Sequence, residues 1–349
     1  MNQRWRLGLF YGILFPLLAI SILAAVAIGS TPVAWQTILR VAGIKLLPAG
    51  WVNPHSVTQA DVVIVWLIRV PRVAVAAFVG MGLAAGGTVM QGFFRNPLAE
   101  AGITGAAPGA VLGAVIAFVT GWSVHSVVSL PLAAMAGALL ALALVYGMAT
   151  RGGVTPVGTL LLAGIATGSL LSAGSSLLLT LNIVNWQVAQ EIVFWMMGGL
   201  ESRSWTHVWL CAPFVLLGLI AAMIQARDLD LLQQGEETAA SFGVDVEASK
   251  RLLTLTAALL TGPAVAVAGM IGFVGLVVPH AVRLMVGPSN RALLPASALG
   301  GAVFLILCDL LARTIHPPVE IRLGVVTSLV GGPVFLAMLL RRYRETSAA

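Results

Sequence analysis

Residues 62–94 read VVIVWLIRVPRVAVAAFVGMGLAAGGTVMQGFF, an apolar stretch whose only charged residues are Arg69 and Arg72. A run of about 20 apolar residues is long enough to cross the roughly 30 Å hydrocarbon core of a bilayer as a helix. Backbone groups in lipid must be hydrogen-bonded within the segment, and a continuous apolar run lacks the alternation of a barrel strand. Since Pro71 disfavours a helical Val70, we expect extended chain at IRVPR and a transmembrane helix from about residue 72.

The rest of the chain repeats this pattern. Of its 349 residues, 59% are hydrophobic and 9% are charged, and the mean hydropathy is +0.98, whereas an average soluble domain has about 25% charged residues. Further apolar runs lie near 7–28, 102–120, 127–149, 157–181, 206–225, 293–313 and 323–340, and residues 252–286 are long enough for two spans broken near Gly269 to Gly275. We predict an all-α polytopic membrane protein with about ten helices, in which residues 1–349 form a single transmembrane domain.

Glycine is abundant, with 38 residues, and recurs at four-residue spacing. The sets are Gly8/Gly12, Gly82/Gly86, Gly105/Gly109/Gly113 and Gly164/Gly168. Small residues at this spacing let helix backbones approach closely in lipid. We therefore predict that these glycines lie at helix–helix contacts.

The distribution of basic residues predicts the orientation. If the N-terminus is cytoplasmic and ten helices alternate, 12 Lys and Arg residues lie inside, including the Arg341-Arg342-Tyr343-Arg344 segment, and seven lie outside. This agrees with the positive-inside tendency and places both termini in the cytoplasm. Arg69, Arg72 and Arg313 oppose the trend, because they lie at outer helix ends. They either snorkel to lipid headgroups or serve a partner.

The sequence lacks the signatures of several other function classes. It contains no GxxxxGK[ST] motif, so we expect no ATP site on this chain. Cys211 and Cys308 are isolated, and we expect neither a disulfide nor a metal site. An ion-coupled secondary transporter would need paired ionisable groups at mid-membrane, and Asp309 is the one candidate. Asp309 is either a proton carrier or a partner for Arg313 four residues later; we favour the second.

Several motifs, taken in order, resemble the permease subunits of FecCD-type (type II) ABC importers. They are IRVPR, GLAAGGTVMQGFFRNPLAEAG, GAAPGAVLGAV, WMMGGL at 195–200, GEETAASFGVDV at 235–246, GMIGFVGLVVPHAVRLMVG at 269–287, LLPASALGGAVFLILCDLLAR and LGVVTSLVGGPVFLAMLL. The resemblance covers nearly the whole chain. It implies a transport subunit, itself not an enzyme, that imports an iron chelate (haem or a ferric siderophore) or, as the alternative, vitamin B12 (cobalamin).

The resemblance also implies the assembly. It predicts a homodimer in the bacterial inner (cytoplasmic) membrane, two copies of a cytoplasmic ABC ATPase that bind ATP and Mg²⁺, and a periplasmic substrate-binding protein. No cofactor is expected in this chain, and no nucleic acid among its partners. By motif match, Arg69, Arg72 and Arg313 are predicted to dock the binding protein by pairing with its carboxylates. Residues 185–200 are predicted to include a short interfacial helix at the outer face.

Two cytoplasmic segments are assigned in the same way. In the family, the loop at about 226–251 forms two short helices that meet at a glycine and dock on the ATPase. The matching residues are Gly235, Glu236, Glu237, Ala239, Ala240, Phe242 and Gly243. The loop TRGGVTPVGT at 150–159 is expected to close the cytoplasmic end of the pathway through Thr155 and Pro156, or else to be an ordinary connector.

Overall fold

The computed structural model describes residues 3–29, 31–48, 51–53 and 56–347. Within these ranges the regular structure is helical, apart from one isolated bridge between Arg151 and Val154. The helices are α1 (Gln3–Ala27), α2 (Trp35–Leu46), α3 (Gln59–Val62), α4 (Val70–Phe93), α5 (Ala106–Val119), α6 (Ser129–Ala149), α7 (Val157–Leu181), α8 (Trp186–Met196), α9 (Trp205–Ile224), α10 (Ala226–Gln234), α11 (Glu236–Ser241), α12 (Val246–Ala268), α13 (Val274–Val286), α14 (Asn290–Thr314) and α15 (Leu323–Ser347). The predicted all-α fold is confirmed.

Ten of the described segments are apolar enough to be spans. Seven are long enough to cross a bilayer by length and composition, namely Arg6–Ala27, Gln59–Phe93, Ser129–Ala149, Val157–Leu181, Trp205–Ile224, Val246–Ala268 and Asn290–Thr314. Three shorter apolar helices are Ala106–Val119, Val274–Val286 and Leu323–Met338. The predicted break in the run 252–286 is confirmed, because α12 ends at Ala268 and α13 begins at Val274.

The predicted extended chain at IRVPR is wrong. Residues Val63–Arg69 form a π-helix, so α3 continues into α4 without a break, and Val70 has helical dihedrals (φ −60°, ψ −47°). The Val70 N–H bonds to the carbonyl of Val65, five residues back. Pro71 therefore lies inside a continuous helix, and the π-helical turn just before it is the kind of local adjustment that accommodates proline in transmembrane helices. The helical path places Arg69 and Arg72 nearly one turn apart.

α4 is the central helix of the bundle. A Cβ added to Gly80 would lie 2.2 Å from the carbonyl oxygen of Gly301 on α14, and one added to Gly87 would lie 2.0 Å from that of Gly275 on α13. Backbones this close leave no room for any side chain. α12 and α14 are also mostly buried. Of the 18 residues in the apolar stretch of each helix, 72% in α12 and 67% in α14 lie inside the structure.

The glycine prediction is confirmed for the inner helices and wrong for α1. A Cβ at Gly109 would meet the carbonyl oxygen of Gly137 at 2.4 Å, and one at Gly113 would meet that of Ala133 at 2.2 Å, so α5 and α6 pack through these positions. Added Cβ atoms at Gly8 and Gly12 meet nothing within 4 Å in the described residues. α1 lies at the periphery, because only 28% of the 18 residues in its apolar stretch are buried.

Candidate functional site

Arg72 is the centre of an ion-paired cluster at one end of the bundle. Its Nη2 lies 2.8 Å from Asp309 Oδ1 and 2.8 Å from Glu320 Oε2. Each carboxylate also receives a second donor from the same guanidinium group. Nε lies 3.0 Å from Asp309 Oδ1, and Nη1 lies 3.0 Å from Glu320 Oε1. The guanidinium fork thus binds one carboxylate on each edge, the geometry that makes charge-assisted pairs strong. We call Arg69, Arg72, Asp309, Arg313 and Glu320 the arginine cluster.

Arg69 and Arg313 cap the end of α1. Arg69 Nη1 donates to the carbonyl oxygens of Val26 (2.8 Å) and Ala27 (2.9 Å), and Arg313 Nη2 donates to that of Ala25. The last carbonyls of a helix lack intrahelical partners and carry partial negative charge, so guanidinium groups stabilise them. Arg69 is only 5% exposed. Both arginines therefore hold α1 against α4 and α14.

Asp309 pairs with two arginines. Its Oδ2 lies 3.5 Å from Arg313 Nε, four residues later on α14, and the pair with Arg72 is shorter. The partnership with Arg313 that we favoured is confirmed, and Arg72 is a further partner. Since its side chain is 2% exposed, these two arginines supply the pairing that a buried carboxylate needs.

The surroundings of the arginine cluster are also basic. Arg322 Nη1 binds Glu201 Oε2 at 2.7 Å, and its guanidinium lies 4.1 Å from the ring centre of Phe194. Burial lowers the pKa of Arg203 to about 10, with Glu201 raising it and Arg72 lowering it further. Within the arginine cluster itself, three guanidinium groups face two carboxylates. This end of the bundle therefore carries excess positive charge.

At the other end, α10 and α11 meet at a glycine. Gly235 lies between them with φ +141° and ψ 148°, a conformation that favours glycine. Of the residues predicted to contact an ATPase, Ala239 is fully buried, whereas Glu237, Ala240, Phe242 and Gly243 are exposed. Phe242 is 62% exposed. This leaves an apolar and acidic surface open beside the end of α11.

Lys250 connects this loop to the rest of the bundle. It is 1% exposed, and its Nζ lies 2.8 Å from Glu236 Oε2 on α11 and 2.9 Å from Glu247 Oε1 on α12. The third contact is the carbonyl oxygen of Thr155, at 3.0 Å. We call Lys250, Glu236, Glu247 and Thr155 the lysine cluster.

Thr155 is held by both backbone and side chain. Its N–H donates to Glu247 Oε2 at 2.9 Å, and its hydroxyl lies 2.8 Å from that of Thr150 and 3.2 Å from Tyr146 Oη. It is 1% exposed. Pro156 is the N-cap of α7 with φ −65° and ψ 130°. The loop is thus an ordered connection that packs against α12.

α10 makes a second connection, to α14. Asp230 Oδ1 accepts from the backbone N–H of Asn290 at 2.9 Å and from its side-chain amide at 2.6 Å. A carboxylate at a helix N-terminus is favourable, because it meets free N–H groups and the positive end of the helix dipole. Asp309 follows Asn290 by 19 residues on α14, which is about 28 Å of helix. α14 therefore joins the α10–α11 loop to the arginine cluster.

A cavity of about 610 Å³ lies between the two ends of the bundle. Its walls come from α4, α5, α8, α12, α15 and the break before α13, and include Leu83, Met196, Met197, Thr261, Met270 and Ser328. Glu100 is the one ionisable side chain among the described residues that line it. Burial raises the pKa of the Glu100 carboxyl. We call this the central cavity.

The Glu100→Gln variant should be more stable than the parent protein at alkaline pH. Because burial raises the folded-state pKa of Glu100, its ionisation lowers the free energy of unfolding as the pH rises. The variant should thus melt at a higher temperature at pH 8, and the gain should disappear as the pH falls below about 4.3, the ordinary Glu value. Thermal unfolding in detergent at both pH values measures this. A lower melting temperature at pH 8 would contradict the argument. The matched control is Glu191→Gln, at an exposed carboxylate, whose melting temperature should stay close to that of the parent protein.

The described residues contain no group of three His, Cys, Asp or Glu side chains that could hold a metal ion. Cys211 and Cys308 are free and buried. α8 forms where a short interfacial helix is expected.

Sequence reasoning missed the residues that join these elements. Lys250 and Glu247 lie in the segment 226–251, which was predicted to be a cytoplasmic loop, and the structure makes them an i, i+3 pair near the start of α12. The signal in the sequence was a lysine just before the apolar run 252–286. Glu320 lies in a loop. Its pairing with Arg72 spans 248 residues, so local sequence gives no indication of it.

Comparisons with known proteins match this chain, over most of its length, to transport permeases. The FecCD transport family matches residues 17–341. The cobalamin import system permease protein of Halobacterium salinarum is 45% identical over 84% of this chain and 77% of its own length. The hemin transport system permease protein of Yersinia pestis is 38% identical over 99% of this chain and 100% of its own length. A permease protein of the Fe(3+)-citrate import system of Bacillus subtilis is 39% identical over 78% of this chain and 80% of its own length.

A solved structure shares the fold. It is a metal-chelate type ABC transporter in an inward-facing conformation, 28% identical, with a TM-score of 0.83 over 96% of this chain and 99% of the other. The resemblance drawn from the motifs is therefore confirmed. This chain belongs to the FecCD transport family.

Proposed function

We propose that this chain is the permease subunit of an ABC importer that moves a metal chelate into the cytoplasm by alternating access. The main support for this proposal is that the FecCD transport family matches residues 17–341, nearly the whole chain. The arginine cluster and the exposed surface of α11 around Phe242, at opposite ends of the bundle with the central cavity between them, would provide surfaces for two partners. ATP and Mg²⁺ would bind to a separate ATPase.

In the proposed assembly, two copies of the chain form a homodimer in the bacterial inner membrane. Both termini lie in the cytoplasm, as the basic residues predict, and two ATPase subunits bind the exposed surface of α11 around Phe242. The arginine cluster then faces the periplasm. The central cavity of each protomer would contribute to the transport pathway.

The binding protein would dock on the arginine cluster through acidic side chains. The structure constrains how this can happen, because Arg69 and Arg313 are buried and engaged with α1. Arg72 has one exchangeable partner, since the side chain of Glu320 is 31% exposed. An incoming carboxylate could replace Glu320 on Arg72 without exposing Asp309. Excess positive charge at this end would speed the encounter in a salt-dependent manner.

We propose an iron chelate, haem or a ferric siderophore, as the cargo, with cobalamin as the alternative. The hemin relative aligns over the full length of both chains, and this supports the first. The cobalamin relative is more identical over a shorter alignment, and this supports the second. The apolar central cavity suits the mostly neutral or apolar surface of a large chelate.

Parallel uptake assays test the cargo. Liposomes containing this chain and its ATPase, with the binding protein outside, are offered haem, ferric siderophores and cobalamin in separate reactions with ATP. Accumulation of haem or a siderophore supports the first proposal, and accumulation of cobalamin alone supports the alternative. ATP-driven uptake of free metal ions alone would contradict both.

A further inference from the structure

Lys250 joins three segments that are separate in sequence. Its ammonium group binds Glu236 at the start of α11, Glu247 in the first turn of α12 and the carbonyl of Thr155 before α7, all within 3.0 Å. An ammonium group has three N–H donors, so each donor has its own partner. Since the residue is 1% exposed, water cannot easily replace a lost contact.

Glu247 reinforces the connection. One carboxylate oxygen accepts from Lys250, and the other accepts from the backbone N–H of Thr155. Thr155 is thus tied to α12 through both its N–H and its C=O. Any movement of α11 relative to this loop must break charge-assisted bonds in a buried site.

We propose that Lys250 is the positioning residue that transmits movement of the α10–α11 loop to Thr155, so that α11, the start of α12 and the loop before α7 move as one body. This inference rests on the proposed function, in which the ATPase moves α11 and Thr155 lies at the cytoplasmic gate. Lys250 itself is buried and does not line the central cavity. Its effect is on the coupling between them.

The Lys250→Met variant tests this by the number of cargo molecules imported per ATP hydrolysed. Methionine keeps an unbranched side chain, one atom shorter than that of lysine, and removes the charge. The freed carboxylates can reach water, since the side chains of Glu236 and Glu247 are 42% and 24% exposed. We expect the ratio to fall about tenfold, the usual scale of an energetic coupling. A ratio equal to that of the parent protein overturns the inference.

Two further variants separate transmission from folding. Arg251→Met removes a positive charge from the adjacent exposed position and should leave the ratio unchanged. Glu236→Gln is milder and should lower the ratio in the same direction. Combined with Lys250→Met it should add little, because the two residues act as a unit. Additive losses would overturn the inference.

A distance measurement tests the inference without transport. Spin labels are placed at Val154→Cys and Ser241→Cys, both exposed, while Cys211 and Cys308 are buried. In the chain bound to its ATPase, we expect one narrow distance distribution with and without ATP, and a broad one when Lys250→Met is added. A narrow distribution in that variant overturns the inference. Failure of ATP-driven uptake by the parent protein, in contrast, would count against the proposed function.

Discussion

Replacing Arg72 with methionine should destabilise the protein far more than removing an exposed charge. The change leaves Asp309, whose side chain is 2% exposed, with the longer contact to Arg313 alone. Removing one partner of a buried ion pair typically costs about 3–5 kcal/mol. Thermal unfolding in detergent should therefore show a large fall in melting temperature, or no folded protein. Arg40→Met, at an exposed arginine, is the matched control and should melt like the parent.

The same cluster offers a variant that separates stability from docking. Glu320→Gln weakens the exchangeable pair on Arg72 but leaves Asp309 paired. We expect it to fold and to bind an acidic binding protein more tightly than the parent, with the difference shrinking as salt is added. Unchanged binding at all salt concentrations would assign the arginine cluster a purely structural role. A stable Arg72→Met variant would contradict the burial argument.

Gly80→Ala should prevent normal packing of the bundle. The added Cβ would lie 2.2 Å from the carbonyl oxygen of Gly301. Neither atom can rotate away, because the Cβ is fixed directly on the backbone of α4 and the oxygen belongs to the backbone of α14. Overpacking usually costs about 1–3 kcal/mol, and a clash between two backbones should reach or exceed the upper end. The measurement is the yield of monodisperse protein and its melting temperature.

Gly12→Ala is the matched control, because nothing described lies within 4 Å of its added Cβ. It should be neutral or slightly stabilising, since alanine favours a helix over glycine by about 1 kcal/mol. Equal behaviour of the two variants would show that α4 and α14 do not pack through Gly80 and Gly301.

Most of the fold was predictable from the sequence because each span is an unbroken apolar run. α7, for example, begins and ends where its run does, at residues 157 and 181. The break between α12 and α13 was also visible, since glycines interrupt the run there. Local composition determines such features, so single-sequence reasoning reaches them.

Two errors had a common cause. Gly8 and Gly12 have the spacing of packing glycines, but whether α1 is central or peripheral depends on the other helices. Pro71 was expected to interrupt the helix, yet a π-helical turn before it accommodates the missing N–H. In both cases a local rule was applied without the tertiary context that decides its outcome.

The candidate site was predicted residue by residue but not as a network. Glu236 and Thr155 were assigned to separate segments. Lys250 binds both of them, and this depends on tertiary folding that brings the loop before α7 next to α11 and α12. Arg72 was assigned to docking, and its two internal partners lie more than 230 residues away in sequence. Long-range pairing of this kind leaves no local signature. The docking, coupling and gating roles stay predictions.

The most direct test of the account is the energy source for uptake. Liposomes are prepared with this chain and its ATPase, with the binding protein on the side of the arginine cluster and ATP on the side of the lysine cluster. We predict uptake that requires ATP and stops when the ATPase is replaced by a hydrolysis-deficient variant. Uptake by this chain alone, driven by an ion gradient with no ATPase present, would contradict the account.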